Sequence, residues 1–454
     1  MRSEGPADPA AAGRVGRVGA RAMKALPGAP FLTRHGAELR LEGHSLAELG
    51  RHFGTPLFVY SRNAMRAAFA SYDRALQGHK HLVCYAMKAN SSLAVLQTFA
   101  ALGAGFDIVS GGELARVLAA GGDPARVVFS GVGKTRTEMR QALLAGVRCF
   151  NVESNAEIDR LNEEALALKR VAPVSLRVNP DVDAGTHPYI STGLKSSKFG
   201  IAHGQALAAY QHAASLPGLQ VVGIDCHIGS QITQLSPYID ALDRVLDLVE
   251  AVEAAGIKIE HVDVGGGLGI TYTDERPPDA SELVARVLQR LRQRGHGHRE
   301  LLFEPGRSLV GNAGVLLTEV HYLKPGSGDT AAIGGNGKNF CVVDAAMNDL
   351  VRPAMYEAWM AIEPCVQRAG PAPMWDIVGP ICESGDWIGR DRALAVQPGD
   401  LLAVLSAGAY AMAMASNYNS RPRAAEVMVD GDQVHLIRER ESMAALLACE
   451  RLIG

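Results

Sequence analysis

From residue 80 onward, short apolar runs alternate with longer amphipathic stretches. The runs cover 81–88, 105–110, 126–131, 149–154, 174–180, 221–230, 261–267 and 301–306, and each ends in polar or glycine residues. Apolar runs of this length bounded by turn residues predict buried strands. Between them, 93–102, 113–120, 138–145, 156–168, 205–215, 238–255 and 283–292 carry apolar residues at helical spacing. Strands alternating with helices imply an α/β fold with parallel strands and right-handed crossovers; eight such units predict a (β/α)8 TIM barrel. The same alternation also permits a doubly wound open sheet.

The flanks have another texture. Residues 31–43 alternate around His35-Gly36 and predict a hairpin, 45–53 a helix, and 57–60 a strand. After Gly306 come short runs at 315–320, 340–344, 375–378 and 401–405. They are separated by turns such as Pro325-Gly326-Ser327-Gly328, Gly334-Gly335-Asn336-Gly337 and Asp430-Gly431-Asp432, which predicts an antiparallel β domain. The expected organisation is a disordered extension over 1–22, a barrel over 46–308, and a β-sandwich or barrel built from 23–45 together with 309–454. The first 22 residues are rich in Ala, Gly and Arg and lack an apolar core, so they do not read as a secretory signal. Met23 is an alternative start.

Composition narrows the class. Hydrophobic residues make up 47% and charged residues 20%, an ordinary globular balance. A net charge of −3 gives no reason to expect a nucleic-acid or membrane-surface partner. The seven cysteines are odd in number, scattered and without a CxxC pair. They are expected to be reduced thiols of a cytoplasmic protein, with neither a disulfide framework nor a metal site.

In a barrel of this kind, chemistry sits at the carboxyl ends of the strands. The first run ends in Lys88, the second reaches Asp107, the fourth ends in Glu153 and the fifth in Arg177 and Asn179. The sixth ends in His227-Ile228-Gly229-Ser230-Gln231, the seventh in Gly265-Gly266-Gly267, the eighth in Glu304-Pro305-Gly306-Arg307. Lys88 is either a satisfied structural lysine or an imine-forming amine whose pKa burial lowers. The glycines and Arg307 end strands seven and eight, the usual phosphate site of such barrels, where a following helix start would add its dipole. A plain glycine-rich turn is the bland alternative.

A lysine, a phosphate cradle and a carboxylate beside a ring nitrogen are what pyridoxal 5'-phosphate requires, with Glu304 as the candidate anion. His227 is either a satisfied core histidine or a face for the cofactor ring. Two other motifs fail: the P-loop pattern ending at Lys134-Thr135 needs glycine where Val128 stands, and GxGxxG from Gly265 breaks at Ile270.

Tyr85-Ala86-Met87-Lys88-Ala89-Asn90, His227-Ile228-Gly229-Ser230-Gln231, Asp263-Val264-Gly265-Gly266-Gly267 and Glu304-Pro305-Gly306-Arg307 resemble the pyridoxal-phosphate decarboxylases with an alanine-racemase-like barrel (fold type III). Within them, the segment 192–200 and Cys382-Glu383-Ser384-Gly385-Asp386 are most similar to the diaminopimelate decarboxylases. The resemblance runs from about Phe31 to the C-terminus. It implies that Lys88 carries the cofactor, that Asp107, Ser230, Gly266, Gly267, Glu304, Gly306 and Arg307 hold its ring and phosphate, and that His227 stacks on it. It further implies that Arg307 and Arg352 bind the distal carboxylate of the substrate, Tyr356 and Glu383 line its distal amine end, Tyr410 lies near both molecules, and Cys382 donates a proton. It also implies a homodimer whose active site takes the loop bearing Cys382 and Glu383 from the partner.

The reaction so implied converts meso-2,6-diaminopimelate to L-lysine and carbon dioxide. Arg352 and Tyr356, four apart, would share one face of a helical turn, and two cations suit a substrate with a second carboxylate. Ornithine and arginine lack one. The rivals are a decarboxylase of ornithine, arginine or carboxynorspermidine; a racemase, which would carry arginine in place of Glu304; and a non-catalytic regulator, which would have lost Lys88 or Cys382.

Overall fold

A computed structural model describes residues 25–183, 198–326 and 337–454. The extension 1–22, most of the segment 192–200 and the turn residues 327–328 and 334–336 lie outside the described residues. Eight parallel strands form the barrel: β1 His81–Ala86, β2 Gly105–Ile108, β3 Val127–Phe129, β4 Cys149–Val152, β5 Ala172–Asn179, β6 Leu219–Asp225, β7 His261–Asp263 and β8 Glu300–Phe303. Each pairs with the next, and Leu301 of β8 pairs with His81 of β1, so the sheet closes and the open-sheet alternative is excluded.

Seven helices follow seven strands, as the apolar spacing predicts. The eighth helical position is filled from the other end of the chain. Helix Arg62–Leu76, absent from the sequence reading, precedes β1 and packs against Ala280–Gln293 and Leu93–Ala101. Its start is capped by Ser61, whose hydroxyl accepts from the Ala64 amide at 2.9 Å.

Side chains alternate across the barrel wall, because successive residues of a strand face opposite ways. Val83, Tyr85, Phe106, Ile108, Phe129, Phe150, Leu176, Ile224, Val262 and Phe303 pack outward into the main core. Leu82, Cys84, Val128, Cys149 and Leu302 form a small separate cluster in the lumen. One pleat further toward the carboxyl ends, the inward positions turn polar: Asp107, Asn151, Arg177, Asp225 and Asp263, all buried. An apolar floor thus carries an ionisable layer.

The rest of the chain is a nine-stranded sheet around the long strand Gly314–Lys324, which pairs with Leu57–Ser61, Phe340–Val343 and Leu401–Val404. Two expectations need correcting. Strand Leu57–Ser61, expected inside the barrel unit 46–308, lies in this sheet, and helix Leu46–Phe53 buries Leu46, Ala47 and Leu49 against Val315, Leu317 and Ala403 of it. The sheet is also mixed, since Leu57–Ser61 runs parallel to Ala425–Asp430 and Phe340–Val343 parallel to Met374–Val378. The hairpin is Leu32–His35 with Glu38–Leu41, and the Leu39 amide donates to Cys365 O, which docks it on the β-rich part. Among the described residues no helix is long and apolar enough to cross a membrane.

Candidate active site

Lys88 does not end a strand. β1 stops at Ala86, and Met87–Ala89 make one 3-10 turn that lifts the lysine into the barrel mouth. The turn is held from outside the barrel: the Tyr410 amide donates to Ala89 O at 2.7 Å and Asn90 Nδ2 to Gly408 O at 3.2 Å. Lys88 Nζ donates to Asp107 Oδ2 at 2.7 Å. Burial alone would lower the lysine pKa, but the Asp107 carboxylate, with Tyr410 and Glu304 close by, outweighs it and holds the ammonium above its ordinary range. The pairing with Asp107, and not burial, sets the direction of the shift. β2 places the carboxylate there, because Asp107 pairs with Ala86, two residues before the lysine.

Below lies a group of acids. Asp225, Asp263 and Glu304 each bring a carboxylate oxygen within 4.8 Å of the others. At that separation two full charges repel by about 3 kcal/mol at an effective dielectric constant of about 20, so the three do not ionise together. Burial, reinforced by the neighbouring acids, holds Glu304 and Asp225 well above the carboxylate range and pushes Asp263 up to about 7. Burial and its acidic neighbours thus favour the neutral form of Glu304. Asn151 Nδ2 donates to Glu304 Oε1 at 3.4 Å, and Arg177 divides itself between Glu153 at 3.3 Å and Asp225 at 3.9 Å.

His227 faces the same space from the loop after β6. Its Nδ1 accepts from the Gly266 amide at 3.2 Å. Burial, then Arg177 and Lys88, lower its pKa well below the ordinary value, so the ring is neutral. In the glycine turn, Gly265 (φ +68°) and Gly267 (φ +105°) occupy the left-handed region, and a Cβ on Gly266 would stand 2.1 Å from Glu304 O. No helix starts directly after this turn; the next is Ala280–Gln293. Gly306 is less confined, with Ala86 O 3.1 Å from where its Cβ would lie.

Arg307 is buried beside this turn. It donates to Tyr272 Oη at 2.6 Å and Ser230 Oγ at 3.1 Å, and its guanidinium lies 4.9 Å from the centre of the Tyr410 ring. Arg352, also buried, opens the short helix Arg352–Tyr356 and stands 5.4 Å from the Tyr356 ring, which realises the shared face expected from their spacing. Burial lowers its pKa, with Arg307 among the charges that act on it. Among the described residues neither guanidinium has a carboxylate partner, and the buried Nε of each is unpaired.

The structure thus gathers Lys88, Asp107, His227, Ser230, Gly266, Gly267, Glu304, Gly306, Arg307, Arg352, Tyr356 and Tyr410 around one mouth. It does not bring in Cys382 and Glu383. Both are exposed, on a loop braced by buried Asp386, which accepts from the amides of Met347 and Ile381, each at 2.7 Å. No described contact joins either residue to Lys88 or Arg307. Of the other six cysteines five are buried, but Cys449 is exposed. Tyr272, Asn151, Asp225 and Asp263 were not predicted as site residues. A carboxylate inside an apolar strand run was the available signal for the last two. Lys134, from the failed P-loop pattern, is buried and donates to Gly131 O, Asn151 O and Glu157 Oε1, a structural role.

Comparison with known proteins agrees with this geometry. Residues 62–311 match the family described as pyridoxal-dependent decarboxylase, pyridoxal binding domain. The chain is 57% identical over 418 residues to the diaminopimelate decarboxylase of Pseudomonas aeruginosa, covering 92% of this chain and 98% of that one. It is 54% identical over 423 residues to that of Vibrio cholerae, covering 93% and 99%. The solved structure of the Helicobacter pylori diaminopimelate decarboxylase complexed with L-lysine superposes with a TM-score of 0.83 at 40% identity, over 88% of this chain and 98% of that one. The M. jannaschii enzyme, also in complex with L-lysine, gives 0.88 at 38% over 94% and 99%. The lysine in the mouth of a closed barrel, its companion β-rich sheet and these full-length similarities make this chain a member of the pyridoxal-phosphate-dependent diaminopimelate decarboxylase family.

Proposed function

We propose that this chain decarboxylates meso-2,6-diaminopimelate at its D-configured end, releasing carbon dioxide and L-lysine. The observation that carries the substrate is the pair of buried guanidiniums, Arg307 and Arg352, without a carboxylate partner among the described residues. A distal carboxylate satisfies both, and an ornithine side chain offers none.

The residues fit pyridoxal phosphate. Lys88 is the anchor; Ser230, Gly266, Gly267, Gly306 and Arg307 form the phosphate end, where Gly266 and Gly267 leave no room for a Cβ. At the other end, Glu304 stands among acids whose buried oxygens, Asp107 Oδ1, Asp225 Oδ1 and Asp263 Oδ2, lack partners. When bound, the cofactor supplies a ring that draws electron density from the bond to the departing carboxylate. Glu304 would face the ring nitrogen, and His227, neutral and fixed by the Gly266 amide, offers a flat uncharged surface to one ring face. Lys88 has to shed its proton to become a nucleophile, and Asp107 at 2.7 Å is the nearest acceptor. Arg307 and Arg352 orient the substrate, with Tyr356 and Glu383 at its distal amine and Tyr410 alongside. Cys382 would donate its thiol proton to the carbon that has lost carbon dioxide, leaving a thiolate. Because Cys382 and Glu383 stand exposed and away from Lys88 here, we assign them to the site of a second copy, in a cytoplasmic homodimer.

The test is to incubate the purified holoprotein with meso-diaminopimelate and, separately, with ornithine. Lysine and carbon dioxide are expected from the first alone. Turnover of ornithine without turnover of diaminopimelate would overturn the reading.

A further inference from the structure

We propose that Asp225 and Asp263 act together with Glu304 as one anionic receptor for the positively charged ring nitrogen of the bound cofactor. The inference rests on the reading above, that Glu304 faces that nitrogen, and extends it to two acids one and two strands further round the barrel. Their placement follows from the chain. Asp225 and Asp263 end β6 and β7, they pair with each other in register, and both occupy the inward pleat beneath Glu304. All three carboxylates meet within 4.8 Å.

The group is short of positive charge. Lys88 is engaged by Asp107 at 2.7 Å, and Arg177 is shared between Glu153 and Asp225. The Gly265 amide pins Asp263 Oδ1 at 2.8 Å, while Oδ2 of the same carboxylate and Oδ1 of Asp225 are buried without partners. Acids crowded into low dielectric, with polar atoms unsatisfied, cost stability that a cationic ligand can restore. A cationic N–H placed against Glu304 relieves all three acids at once. A divalent metal is the competing occupant of three carboxylates. It suits the site less, because the Asn151 amide and the Gly265 N–H both donate into the cluster, where a metal would want acceptors only.

Asp263 acts through Glu304 and the ring, so it is a positioning residue, and the substitution Asp263→Asn isolates its charge. Asparagine keeps an oxygen for the Gly265 amide, removes the negative charge and replaces the second oxygen with an NH2 donor of similar size. The experiment compares the dissociation constants of pyridoxal 5'-phosphate and its 1-deaza analogue, in which C–H replaces the ring nitrogen. These are measured at pH 8 on cofactor-free wild type, Asp263→Asn, Asp225→Asn and Glu304→Gln. Wild type is expected to prefer the natural cofactor. Asp263→Asn lowers that preference about tenfold, or 1.4 kcal/mol, and Asp225→Asn lowers it less, because Arg177 offsets part of its charge. Cofactor-free Asp263→Asn is also expected to melt at a higher temperature than cofactor-free wild type. If Glu304→Gln lowers the preference while both Asp variants keep the wild-type ratio, the inference falls and the assignment of Glu304 stands. If Glu304→Gln also leaves it unchanged, that assignment falls with it. Stoichiometric metal in the purified holoprotein would overturn the receptor outright.

Discussion

Gly266→Ala is the sharpest single perturbation of the barrel mouth. Gly266 does not need the left-handed region, so the substitution tests space alone. The new methyl would lie 2.1 Å from Glu304 O and 2.9 Å from Glu304 C, both backbone atoms. A carbon–oxygen contact relaxes only beyond about 3.2 Å, so the turn after β7 and the end of β8 must part by roughly 1 Å. The Glu304 amide donates to Gly265 O at 2.8 Å, so that bond stretches as the two segments separate. Overpacking of this kind costs about 3 kcal/mol. The same movement displaces the Gly266 amide from His227 and the Glu304 carboxylate from its partners, and a 1 Å error in a site costs about 100-fold in function. Urea unfolding of the cofactor-free protein reads the first number, and cofactor affinity with kcat/KM on diaminopimelate reads the second. Gly399→Ala is the control: Gly399 has φ +88° with nothing within 4 Å of a Cβ, so it should lose only about 1 kcal/mol and no activity. Gly266→Ala with stability and cofactor affinity equal to wild type would refute the packing argument.

Other consequences follow from single contacts. Removing the charge that holds Lys88 protonated, by Asp107→Asn, should move the pH profile for reloading the cofactor-free protein toward acid by at least about one unit; an unmoved profile would show that Asp107 does not govern the amine. His261 is buried against Gly223, and burial takes its pKa down to about 4, against about 6.5 unfolded. A pKa depressed in the fold means that protonation favours the unfolded chain. Stability is therefore lost as pH falls through this window, by about 3 kcal/mol in full, and His261→Gln should show a flatter acid limb than wild type in urea titrations between pH 7 and 4. Lys88→Ala and Cys382→Ala should each be inactive, yet a mixture refolded together should recover about a quarter of wild-type activity, since half the dimers are mixed and one site in each is complete; no recovery would place both residues in the site of one chain.

The barrel was legible because its two periods, strand and helix, are written in the apolar spacing from residue 80 onward. Helix Arg62–Leu76 escaped because it comes before the first strand, while the ring it completes closes after the last. Strand Leu57–Ser61 was visible as a strand, but nothing local says that its neighbours lie some 260 and 370 positions on. At the site, chain order gave the residues at the strand ends. It could not give the register that sets Asp107 beside Lys88 and so decides the direction of the lysine shift. Nor could it show that Asp225, Asp263 and Glu304 converge, because each sits alone in an apolar run and only the pairing register of three neighbouring strands brings them to one point. Tyr272 lies in an irregular loop, where no periodicity marks it as the partner of Arg307.

Strand Leu57–Ser61 also bears on how the molecule is made. It is translated before the barrel, and its partners are translated after it; Tyr60 donates to Glu426, 366 positions away. On the ribosome the barrel has all its strands while this segment, apolar along Leu57-Phe58-Val59-Tyr60, still waits for both of its neighbours. Its assembly therefore carries a high loop-closure entropy and a long interval with an unpaired, aggregation-prone strand. The same delayed pairing seats Gly408 and Tyr410 on the Lys88 turn. The active site is thus completed only when the last quarter of the chain has emerged.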